Sequence, residues 1–211
     1  MALIASPYTS PARNGTTPAS LAGRLAAGET KAVVTFAGQG VDVLDELAAL
    51  VAQRPELRAG TELASDVLAE VAASELGLAS GAYRHGTDIG AWAMDPDGAP
   101  PLAYLRGAAV AYPLSLLAQA LLWRSVWSES LGGAADSMLA FAGHSQGLLA
   151  ARLVAESPGG EVDDARLAHH LRRAAIQDMC RPWIAARRGV RRWRRSTASR
   201  SRAWSRCSVL T

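Results

Sequence analysis

Gly143-His144-Ser145-Gln146-Gly147 joins a short apolar stretch to a segment of helical spacing. Before it, residues 137–142 (Ser-Met-Leu-Ala-Phe-Ala) form a short apolar run of strand length. After it, residues 148–154 (Leu-Leu-Ala-Ala-Arg-Leu-Val) carry helical spacing. A strand that becomes a helix within five residues, with serine at its centre and glycine at both ends, is the context a Gly-x-Ser-x-Gly turn requires. The glycines let the backbone turn without a Cβ clash, so the Ser145 hydroxyl is expected to stand above the sheet edge. The helix that follows directs amide N–H groups and a partial positive charge at the same place, where an oxyanion could develop. Ser145 is therefore the candidate nucleophile, set against the plainer reading of an ordinary serine in a glycine-rich turn.

The rest of the chain is read around that turn. Its 211 residues suffice for one domain with tails, and 49% hydrophobic with 19% charged residues suits a globular protein. No apolar run reaches the roughly 18 residues of a membrane span. Residues 1–11 lack the basic start and apolar core of a secretion signal, so a cytoplasmic location is expected. Cys180 and Cys207 are the only cysteines, which leaves no disulfide framework and no metal-ligand spacing.

Residues 1–28, rich in Pro, Ser, Thr, Ala and Gly, read as a loose arm with one short helix near residues 21–27. Residues 31–37 form a β-rich run that stops at Gly38-Gln39-Gly40. Helices are expected over 41–51, with Val41, Leu44, Leu47, Leu50 and Val51 on one side, and over 62–76. Residues 78–101, with Asp95-Pro96-Asp97-Gly98, read as loop with a possible strand end. A long helix is expected over 112–128 with Leu114, Leu117, Leu121 and Trp127 inward, and another over 163–179. The order strand, helices, strand, elbow, helix indicates an α/β fold with a parallel sheet and flanking helices.

The net charge of +3 conceals a division. From residue 181 onward there are ten arginines and no acidic residue. The first 180 residues then hold twelve basic and nineteen acidic side chains, a net of −7. Three of the six tryptophans also lie in this basic segment, which shows no hydrophobic periodicity. One reading is a polyanion-binding tail, with arginine on phosphates and tryptophan on bases. The preferred reading is translation of a shifted frame in GC-rich DNA, so residues 180–211 are expected to be disordered or frameshift-derived, with no specific nucleic-acid partner.

With Ala37-Gly38-Gln39-Gly40 and Gly143-His144-Ser145-Gln146-Gly147 in this order, residues 31–179 resemble the N-terminal acyltransferase domain of a type I fatty acid synthase. The closer likeness is to the multifunctional synthases of actinobacteria and fungi. The resemblance implies an α/β-hydrolase-like acyltransferase core over residues 29–179, incomplete at its C-terminal side. It also implies transfer of an acetyl or malonyl group from acyl-CoA to Ser145, and then to the phosphopantetheine of an acyl carrier protein. No bound cofactor or metal is implied; the partners would be that carrier protein or the remaining synthase domains. Backbone N–H groups of Gln39 and Gln146 would form the oxyanion hole, and Arg172, or its neighbour Arg173, would grip a malonyl carboxylate.

The resemblance further implies a histidine base well downstream of the serine. None of His85, His144, His169 and His170 takes that place, so impaired turnover is expected. The alternatives are an α/β-hydrolase such as a thioesterase, which uses the same elbow, and a noncatalytic protein with a polyanion-binding tail.

Overall fold

Two strands, β1 (Ala32–Phe36) and β2 (Met138–Gly143), lie side by side and parallel, with Val34 beside Phe141 and Phe36 beside Gly143. Parallel neighbours cannot be joined by a tight hairpin, and the residues between these two form helices instead. In this computed structural model, which describes residues 20–38 and 43–189, with side chains as far as Gln177, β1 and β2 form the only sheet among the described residues. The expected α/β character is present in this small form. The chain divides into two units: residues up to Val43 with Ser115–Leu167, and Leu44–Leu114 with the residues from Ala168 onward.

The first unit holds α1 (Leu21–Ala26), both strands, the later part of α7 (Ala108–Val126), a π-helical turn Trp127–Leu131, and α8 (Gly147–Ala155). Strand alternation puts Val34 and Phe36 on one face, and both are fully buried. Trp123 of α7 fills the space over them. Its ring lies 6.2 Å from Phe36, edge-on to Phe141 at 5.7 Å and stacked on Trp127 at 5.1 Å. Its indole N–H donates to the Gly160 carbonyl at 2.7 Å, so the polar atom of a wholly buried side chain is satisfied. Leu139 on β2 and Leu148 on α8 remain well exposed.

The short helix expected near residues 21–27 is present as α1, and it is packed rather than loose. Ser20 caps α1 by accepting from the Gly23 amide, Leu25 is buried, and the Ser137 hydroxyl donates to the Leu25 carbonyl at 2.6 Å. One apolar side chain and one long-range hydrogen bond tie the segment down, which composition alone does not reveal. Residues 1–19 lie outside the described residues, as do Val41 and Asp42 at the start of the expected second helix.

The second unit is helical: α2 (Val43–Gln53) from Leu44 onward, α3 (Arg58–Ala73), α4 (Glu75–Ser80), α5 (Ile89–Met94), α6 (Leu102–Leu105), the start of α7, and α9 (Asp164–Gly189) from Ala168. Leu44, Leu47 and Val51 form the buried stripe of α2, as their spacing predicts. The helix expected over 62–76 divides at Ser74, whose extended backbone ends α3 and whose hydroxyl accepts from the Gly77 amide to cap α4. Residues 78–101 contain no strand. Asp88 caps α5 through the Ala91 amide, and Asp95-Pro96-Asp97-Gly98 closes a 3-10 turn on the Asp95 side chain. Short polar side chains at caps start helices too brief for periodicity to announce.

Two helices run past their expected ends. α7 begins at Ala108 and is buried on nearly every side, with Leu116 and Trp123 as enclosed as the expected Leu117 and Leu121. α9 continues to Gly189, so the boundary expected near residue 180 falls within a helix. Alanine and arginine, frequent between 181 and 188, are strong helix formers that extend a helix already nucleated. The rest of the basic segment, residues 190–211, lies outside the described residues.

Pro113 lies inside α7 and lacks the N–H that would bond the Ala109 carbonyl four residues earlier. The Tyr83 hydroxyl supplies the missing donor at 3.2 Å, and burial, with a contribution from Tyr104, pushes its phenol well above the usual range, so it stays protonated. Ala109 is buried and belongs with Val71, Ala175 and Ile176 to the apolar cluster against which Tyr83 packs. Tyr83→Phe should therefore cost about 1–2 kcal/mol by leaving a buried carbonyl without its donor. Combined with Pro113→Ala, which restores a backbone donor, the loss should shrink. Urea unfolding of both single variants and the double variant checks this, and strict additivity would reject the compensation.

Candidate active site

Ser145 is the only non-glycine residue among the described residues with a left-handed backbone, at φ +52°. An L-residue adopts that conformation at a cost of about 1–2 kcal/mol, so the surrounding turn must impose it. The imposing contacts are visible. β2 hands over to the turn at His144, whose N–H donates to the Phe36 carbonyl at 3.1 Å and extends the strand pairing by one residue. The chain then reverses tightly: the amides of Gly147, Leu148 and Leu149 bond the carbonyls of His144, Ser145 and Gln146 at 2.9, 3.2 and 2.9 Å.

The flanking glycines are required by space. A Cβ on Gly147 would lie 2.2 Å from the Phe36 carbonyl oxygen, and one on Gly143 would lie 2.3 Å from the backbone of Gly147. No side chain fits at either position without moving backbone. α8 thus starts in direct backbone contact with the end of β1. This lifts His144 and Ser145 to the surface, where both are exposed, while Gln146 is buried.

The end of β1 completes the immediate surroundings. A Cβ on Gly38 would fall 2.9 Å from the His144 carbonyl oxygen and 3.2 Å from the Ser145 Cβ. Ala37 and Gly38, the first two residues of Ala37-Gly38-Gln39-Gly40, therefore lie against the elbow. Gln39 and Gly40 lie outside the described residues. Gln146 opens the helical turn that follows Ser145, ahead of the three amides already bonded within it.

The other candidates divide between the two units. His144 is the only one of the four histidines in the unit that holds Ser145. His85, His169 and His170 belong to the second unit, where His85 meets Tyr104 edge-on and His169 and His170 meet each other. Arg172 also belongs to the second unit, with its guanidinium 2.5 Å from the Glu70 carboxylate of α3. Among the described residues no three His, Cys, Asp or Glu side chains gather, and no helix is long and apolar enough to cross a membrane.

One neighbour of the site escaped the sequence reading. Gln119 of α7 donates to the Ala37 carbonyl at 2.8 Å. The signal was present as a single carboxamide in the apolar run Leu116-Leu117-Ala118-Gln119-Ala120-Leu121-Leu122. No protein-family model matches the chain, and no curated protein matches it.

The strained serine gives a direct test. Ser145→Gly should raise stability by about 1 kcal/mol relative to Ser145→Ala, because only glycine relieves a positive φ. Thermal and urea unfolding of the pair measures the difference. Equal stabilities would mean that the elbow is unstrained in solution.

Proposed function

We propose that Ser145 is the nucleophile of an acyl transfer, taking an acetyl or malonyl group from acyl-CoA and passing it to the phosphopantetheine thiol of an acyl carrier protein. The observation that carries this reading is the left-handed, exposed Ser145 between two sterically obligatory glycines at a strand-to-helix turn. In the first step the Ser145 Oγ bonds to the thioester carbonyl carbon, the carbon–sulfur bond breaks, and CoA leaves as its thiol with the serine proton. In the second step the carrier thiol attacks the serine ester and Oγ regains a proton. The backbone N–H groups of Gln39 and Gln146 are the proposed oxyanion donors, and loss of one such donor typically slows acyl transfer by about 100-fold or more.

Without a histidine base of the kind the resemblance implies, this polypeptide is proposed to acylate slowly and turn over poorly. The fatty acid synthase setting and the carrier-protein partner rest on the resemblance alone. A thioesterase would use the same elbow but deliver the acyl group to water.

Incubation with acetyl-CoA or malonyl-CoA, followed by intact-mass and peptide mapping, tests the nucleophile. One acyl group is expected on the peptide containing Ser145 and none in Ser145→Ala. Modification that survives the substitution would end the proposal. Transfer onward to a pantetheine thiol supports the transferase, and release to water alone the hydrolase. If Arg172 grips the malonyl carboxylate, Arg172→Ala should lower malonyl acylation by about tenfold with acetyl acylation unchanged. An unchanged acetyl-to-malonyl ratio would remove Arg172 from the site and leave it as the partner of Glu70.

A further inference from the structure

Gln119 stands in α7 among the buried side chains of Leu116, Leu117, Ala120 and Leu121. A carbonyl oxygen can only accept, so the bond to Ala37 fixes the carboxamide with Nε2 toward Ala37. Its Oε1 is buried and meets no donor among the described residues. An apolar side chain of equal length would fill this place without burying an oxygen. Packing therefore does not account for glutamine here, and the bond that it makes does.

That bond acts at one point of the chain. β1 pairs with β2 as far as Phe36, whose carbonyl receives the His144 amide. The next carbonyl, that of Ala37, turns to Gln119 instead. The same Ala37 oxygen would lie 2.6 Å from a Cβ on Gly147, so it is held between Gln119 and the second glycine of the elbow. The Ala37–Gly38 peptide is trans, with its N–H opposed to its carbonyl, so fixing the oxygen also fixes the direction of the Gly38 amide. Gly38 is the residue packed against His144 and Ser145.

We propose that Gln119 is a positioning residue: it locks the Ala37–Gly38 peptide against the elbow, and so sets the backbone that borders an acyl group on Ser145. This rests on the reading of Ser145 as a nucleophile. Gln119 acts through the peptide and touches no reacting atom.

The full chain is tested as wild type, Ser145→Ala, Gln119→Met and Gln119→Glu. Rates of Ser145 acylation by p-nitrophenyl acetate and by its thiono analogue are measured together with urea unfolding. Gln119→Met should keep or raise the unfolding midpoint while acylation falls about tenfold, the scale of a small misplacement at a reacting centre. The preference for the oxygen ester over the thiono ester should fall with it, because sulfur fits a well-placed oxyanion site poorly. In Gln119→Glu the deficit relative to wild type should diminish as pH falls, since only the protonated carboxyl can donate to Ala37. Rates and thiono preference within twofold of wild type in folded Gln119→Met would overturn the positioning role while leaving the nucleophile intact. Should that variant not fold, a pH-independent deficit in Gln119→Glu would overturn it equally. Wild-type protein that acylates no faster than Ser145→Ala would overturn both readings.

Discussion

The approach of Gly147 to the Phe36 and Ala37 carbonyls is the constraint on which the first unit depends. A helix can follow a strand at this distance only where two backbones meet with no side chain between them. Once they meet, the other features of the turn follow. The His144 amide reaches Phe36, the three amides of the turn find carbonyls within it, and Ser145 is left with a backbone conformation that its own chemistry disfavours. Strain at one residue is sustained by tight, fully bonded contacts around it, the usual condition for a side chain held ready for reaction.

The strands that make that contact are in turn held by α7. Trp123 spans Phe36, Phe141 and Trp127 and bonds to Gly160. Arg124, next to it, donates to the Val162 carbonyl at 2.9 Å and to Asp164 at 2.7 Å, and the Asp163 carboxylate accepts from the Arg166 amide at the start of α9. The Arg166 amide and guanidinium hold the Asp163 carboxyl below its usual range. The Asp163 and Asp164 carboxylates are exposed, so these ion pairs set direction more than stability. One buried indole and one arginine thus tie the strand pair to the segment that follows α8. Leu139 and Leu148 lie outside this packing, as expected of a sheet that has only two strands among the described residues.

Legibility varied with the length scale of the signal. Both strands, the elbow and α8 were readable because a short apolar run of strand length followed, across paired glycines, by helical spacing has few local solutions. The buried stripe of α2 and the inward leucines of α7 followed from spacing alone. The division at Ser74 and the helices within 78–101 were misread, since a cap of one side chain outweighs propensity over so few residues. The short helix near residues 21–27 was readable, but its anchorage was not, because that comes from Leu25 and Ser137, which are 112 residues apart.

The sequence by itself determined the local events: a strand that must turn into a helix at Gly143–Gly147, a serine at the crest of that turn, and a basic segment unlike the acidic body. These depend on steric and charge properties of adjacent residues, which no distant contact can cancel. Only the tertiary structure decided which groups surround the serine. It brought Gly38 against Ser145 and Gln119 onto Ala37, and it placed Arg172 beside Glu70. Those pairings join residues from 82 to 107 positions apart, and spacing carries no information about them. They follow from which apolar faces pack together, a property of the whole chain rather than of any segment.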